Sequence, residues 1–195
     1  FGSNYTLNSA TTGNLDEIVG DIRFLGNVIV DGNMTIDSNG GDITFDGTVS
    51  GTNGDEILTV TDGTGGAENG TITFKGNVGA GNQLLSLVVT GDTAIKFGGT
   101  VTTANGNNNN IDINGPVILT DNTTFDTSAN DGTIHFSSTI NSEGTEDNTL
   151  TLKAKGGAIT VAGLIGGSSD LGNLKINDDY AAGVGKITLT GVGGD

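Results

Sequence analysis

Any chemistry in this chain has to come from carboxylates, because other reactive groups are scarce. The 195 residues hold 23 Asp and Glu, one His and no Cys. Without Cys there is no disulfide framework, no thiolate-bound zinc and no thiol nucleophile. The lone imidazole, His135, could serve a Ser/His/Asp arrangement only at its centre, and no spacing in the sequence supports that. The acidic clusters are more serious. Asp37–Ser38–Asn39–Gly40–Gly41–Asp42 spaces the oxygens of Asp37, Asn39 and Asp42 as a calcium loop does. Calcium is therefore the one candidate cofactor, with those three residues as its candidate ligands. The competing explanation is turn chemistry, since Asp, Asn and Gly dominate turns for their own backbone reasons. No full EF-hand loop or glycine-rich nonapeptide run accompanies the cluster. A second arrangement would group Asp46 and Asp112 with Asp21 or Asp42 on one exposed face, as polysaccharide-cleaving enzymes group their carboxylates. Grooves for sugars usually offer aromatic platforms, and here only two Tyr and seven Phe exist, several at core positions. No catalytic residue is assigned, and a non-enzymatic protein is the expectation.

The acids also set the partners. With 7 Lys and Arg the formal net charge is -16, a field that repels nucleic acid and anionic lipid. No apolar run approaches the roughly 18 residues of a membrane span, so membrane insertion is not expected. Apolar residues make up 33% and aromatics 5%, against 35 Gly. Those values alone would suit a disordered linker. A repeat overrules that reading.

One phrase recurs: Ile, any residue, an apolar residue, then commonly Gly, then Val or Ile. It reads IRFLGNV at 22–28, ITFDGTV at 43–49, ITFKGNV at 72–78 and IKFGGTV at 95–101. It continues as IDINGPV at 111–117, IHFSSTI at 134–140, ITVAGLI at 159–165 and ITLTGVG at 187–193. The starts lie 21, 29, 23, 16, 23, 25 and 28 residues apart, the range of a coil carrying loops of variable length. His135 shares its place in the phrase with Arg23, Thr44, Thr73, Lys96 and Asp112, a variety that reads as solvated surface. A second apolar–x–apolar piece follows most copies, as in Leu58–Thr59–Val60 and Leu150–Thr151–Leu152. A longer period pairs 22–37 with 111–126. It divides the chain into a lead-in or inter-subunit segment at 1–21 and two super-repeats at 22–110 and 111–195.

Period-two alternation predicts short strands, and Gly at this density disfavours helix; 14–19 is the one weak helical candidate. Segments between phrases are too long for the hairpins of a sandwich. Parallel stacking places Ile on Ile and Phe on Phe inside a narrow core, with Gly, Asn and Asp at the corners. The expected fold is an all-β parallel β-helix (β-solenoid) of about seven to eight coils, roughly 40 Å long at ~4.8 Å per coil.

GDITFDGTVSG, GTITFKGNV, TAIKFGGTVTT and NTLTLKAKGGAITVAGLIGG resemble the β-strand repeats of filamentous haemagglutinin-like and autotransporter-type bacterial exoproteins. The resemblance covers 22–195 and rests on pattern, not on catalytic residues. It implies a right-handed β-helix, secretion to the cell surface or an extracellular matrix such as a biofilm, and service as a stalk, adhesin or fibre. Residues 1–21 do not resemble that family's secretion domain. The expected partners are other copies joined end to end as a homopolymer, or flanking repeats of a longer chain, with surface glycans as candidate ligands. The alternative function is a polysaccharide-acting or calcium-dependent carbohydrate-binding β-helix.

Overall fold

A computed structural model describes residues 5–8, 14–15, 20–63, 70–104, 110–144, 146–180 and 183–193, with side chains from residue 20 onward. Most of the 1–21 segment lies outside the described residues. Asn14–Leu15 of the weak helical candidate is a strand, and 16–19 are likewise outside.

The strands run in chain order around three faces. After β1 (Tyr5–Asn8) and β2 (Asn14–Leu15), the first turn is β3 (Ile22–Phe24), β4 (Val28–Asp31) and β5 (Met34–Asp37). The second is β6 (Ile43–Phe45), β7 (Val49–Gly51) and β8 (Ile57–Thr61). The third is β9 (Thr71–Phe74), a bridge at Val78, and β10 (Ser86–Thr90). The fourth is β11 (Ala94–Phe97), β12 (Val101–Thr102) and β13 (Ile111–Asn114). The fifth is β14 (Val117–Leu119), β15 (Thr123–Asp126) and β16 (Ile134–Phe136). Then come β17 (Ile140–Ser142), β18 (Thr149–Lys153), β19 (Ile159–Ile165), β20 (Asn173–Ile176) and β21 (Ile187–Val192). Every strand pairs in parallel with its counterpart one turn away, giving a β-solenoid of about seven turns. Faces I, II and III are those of β3, β4 and β5, with β1 ahead of β4 on face II and β2 ahead of β5 on face III. Both β19 and β21 bend across from face III to face I.

Alternation decides which side chains enter. Val28 and Val30 are sealed while Ile29 between them is half-buried, and the same pattern repeats on β8, β13 and β18. The inward residues stack in registered columns, so each turn covers the apolar floor of the last. On face I, Phe24, Phe45, Phe74 and Phe97 lie nearly parallel, with ring centroids 5.0, 4.7 and 5.2 Å apart. Each stacked pair adds about 0.5–1.5 kcal/mol beyond burial.

The structure refines the repeat in one respect. The first four phrases run from face I to face II, whereas the last four run from face III to face I. Ile95 therefore pairs with Val117, 22 residues on, and not with Ile111, only 16 residues on. The difference of six residues is the step from one face to the next, as from Ile22 to Val28. The unusually short interval is a slip of the phrase by one face, with the coil itself of ordinary length. The slip is closed by the tight corner Gly115–Pro116. Gly115 has φ +149°, and a Cβ there would lie 1.9 Å from the Gly91 carbonyl oxygen. The aromatic column turns with the phrase: Phe125 on face II meets Phe97 edge-on, and Phe136 on face III meets Phe125 edge-on.

Candidate functional site

The acids singled out by type are largely absorbed into the corners. A corner residue on one turn offers its side-chain oxygen to a backbone N–H on the next. Thr48 N–H donates to Asn27 Oδ1 (3.0 Å), Ile57 N–H to Asn33 Oδ1 (2.9 Å) and Thr100 N–H to Asn77 Oδ1 (2.9 Å). Thr149 N–H donates to Asn122 Oδ1 (2.7 Å) and Gly156 N–H to Asp131 Oδ1 (3.1 Å). Corner N–H groups have no strand partner, and burying them unpaired is costly. Asn and Asp at corners therefore extend the ladder where the strands stop.

The calcium-loop candidate sits in such a corner, between β5 and β6. Asn39 has φ +49° and donates its N–H to Asp37 Oδ1 (2.8 Å). Asp42 is turned to the neighbouring coils. Its own N–H donates to Asp21 Oδ1 (3.0 Å), and its Oδ1 accepts the Thr71 N–H (2.7 Å). Asp37 and Asn39 thus share one turn, while the Asp42 carboxylate bonds along the rod axis.

The carboxylates imagined in a single groove are dispersed. Asp46 follows β6 and bridges two cations on flanking turns, Arg23 at 2.7 Å and Lys75 at 2.6 Å. Hydrogen bonds from Arg23, then Lys75, hold its carboxyl below the ordinary aspartate range. Asp112 lies on face III two turns on, where its Oδ1 is 2.7 Å from His135 Nδ1 on the adjacent turn. Thr160 occupies the next rung of that outward column. The structure therefore gives His135 a carboxylate neighbour that the spacing of 23 residues had not suggested.

Two buried acids escaped the sequence reading. Glu56 is 1% exposed and folds back under its own loop. Its carboxylate accepts the N–H groups of Thr52 (2.8 Å), Asn53 (2.6 Å) and Gly54 (2.9 Å). Burial alone would raise its pKa, but the converging backbone donors outweigh it and leave the pKa lowered. Asp62 is 2% exposed at the corner after β8, where its carboxylate accepts the Asp92 N–H at 3.3 Å. Burial first, and then the charges of Asp92 and Asp37, push its carboxyl up. The only signal for Glu56 was length: five residues join β7 to β8 where two join β4 to β5.

Those longer connections build a concavity. At the corner between faces II and III, a cleft of about 300 Å³ is lined by Asn53, Gly54, Gly81, Asn82, Gln83 and Ala104. No family model, curated protein or solved structure matches the chain.

Proposed function

We propose that the chain is a non-enzymatic structural segment of an extracellular protein: a rod serving as a stalk, adhesin or self-assembling matrix fibre. The observation that carries this reading is the registered parallel stack. Parallel pairing in register carries from turn to turn along the rod, and the corners bond along the axis as the strands do. Such a rod grows by adding turns without redesigning its core. The excess of acid over base keeps its surface hydrated. Ile187 and Val192 on the last described rung are exposed, where their counterparts Ile159 and Ile165 are sealed. Copies joined end to end, or flanking repeats, would continue the same parallel ladder.

Electron microscopy and fibre diffraction of the purified chain test the reading. Filaments with an axial reflection near 4.8 Å are expected. Dispersed monomers at high concentration would overturn self-assembly, and failure to recover the protein from protease-shaved cell surfaces would overturn the extracellular setting. The alternative, a carbohydrate-binding β-helix, draws support from one feature, the cleft between faces II and III.

A further inference from the structure

We infer that this cleft is a binding site for a neutral saccharide, an assignment that rests on the adhesin form of the function proposed above. The corner between faces II and III is tight on the first turn, where Gly32 and Asn33 alone join β4 to β5. On the second turn it lengthens to 52–56, and on the third 79–85 lead from the Val78 bridge to β10. The added residues form walls without disturbing the columns beneath.

Both walls are held in place. The N–H groups of Thr52, Asn53 and Gly54 converge on the buried Glu56 carboxylate, so this loop tip is fixed from below. The opposite wall is tied by Gly51 N–H to the Asn82 carbonyl (2.9 Å), and Ala104 N–H donates to the Leu84 carbonyl (2.6 Å). Gly54 has φ +83°, and a Cβ on it would come within 3.2 Å of the Ala104 Cβ. Glycine therefore lets the second-turn loop close against the fourth turn. A Cβ on Gly81 would meet nothing, so that side faces open space. A concavity with fixed walls lowers the ordering cost of binding.

The lining selects the ligand class. Among the described residues its lining contains no charged side chain, and its one apolar side chain is the single methyl of Ala104, so a sugar held here would rely on hydroxyl–amide hydrogen bonds in place of the aromatic platform of longer sugar grooves. Asn53, Asn82 and Gln83, which line it, each carry an amide that both donates and accepts. A sugar hydroxyl does the same, so the two match without an ion on either side. Anionic ligands are opposed by the net charge of -16. A bare cation finds no free carboxylate, because the Glu56 oxygens are already engaged by three N–H donors. The cleft lies at the small end of ligand pockets, roughly 300–1,000 Å³, which suits the terminal unit of a glycan.

Glycan-array screening of the full chain, followed by saturation-transfer NMR on the hits, tests this. Neutral glycans should bind and acidic ones should not, and calcium or chelator should make no difference. Asn82→Ala combined with Gln83→Ala should weaken binding about tenfold or more with the melting temperature little changed, Asn82 being exposed and Gln83 half-buried. A separate Asn53→Ala variant, on the opposite wall, should weaken it as well. No neutral binder on the array, or binding indifferent to both variants, overturns the site. If filaments still form in that case, the rod reading stands alone. If filaments fail while neutral glycans bind in the cleft, self-assembly falls and the adhesin form, with its site, survives.

Discussion

The first four turns and the later ones are written in the same phrase yet use it differently. Before the slip, the phrase puts Phe at one place on face I, and Phe24, Phe45, Phe74 and Phe97 stack face to face. After it, the face I column continues as Leu119 and then Ser142, while Phe125 and Phe136 meet edge-on across the interior. The corners differ as well. The second turn supports its loop between faces II and III with an ionised Glu56, and the fifth supports the equivalent loop with the Thr127 hydroxyl, which donates to the Gly132 carbonyl (2.7 Å). One recurring phrase therefore does not imply one recurring interior. Its phase against the coil decides which residues meet.

The largest effect should come from the centre of the stack. Phe74→Ala removes a ring that lies between two parallel neighbours and should cost about 3–5 kcal/mol in urea unfolding. Phe97→Leu copies the later half's Leu119 into the column and should cost about 1–2 kcal/mol; a loss as large as that of Phe74→Ala would break the distinction between the halves. Glu56→Ala should cost about 2–3 kcal/mol by stranding three N–H groups, more than Thr127→Ala. The Glu56 contribution should also depend on pH. Its folded pKa is lowered, so the stability it supplies is present above the unfolded value and fades as pH falls through the folded one. Thr127 has no ionisable counterpart to that loss. A flat pH profile for the wild type minus Glu56→Gln difference would remove the contrast between the two loops.

Asp62→Asn should act in the opposite direction. The folded pKa of Asp62 is raised, so its contribution is most favourable below the unfolded value and is lost as pH rises through the folded one. The amide variant should therefore melt higher than wild type at neutral pH, with the advantage vanishing in acid. The smallest change is expected at Asp46→Asn. Arg23 and Lys75 are half or more exposed, so the variant should shift melting slightly and not at all in high salt.

The stacked, all-β character was legible because the repeat carries its own physics. Ile43 and Phe45 alternate with outward Thr44, and Ile72 and Phe74 with outward Thr73, so their burial follows from spacing alone. The slip left a trace as well, in the 16-residue interval between Ile95 and Ile111. The candidate site was less legible. Asp37, Asn39 and Asp42 stood out by type, yet type does not reveal that the Asp42 carboxylate is turned to the Thr71 N–H. Asn53, Asn82 and Gln83 carried no motif, because what joins them is the height of neighbouring turns.

Local order thus follows from the sequence: period-two alternation makes strands, Gly and Asn make corners, and a repeat of some twenty residues makes turns that cannot bury their apolar face alone. Which turn meets which, and at what face, was decided only by the stack. Parallel pairing counts residues between faces, and a phrase arriving six residues early joins the column one face earlier. That count also brought His135 to Asp112 and three amides around one cleft, contacts between turns that no single turn encodes.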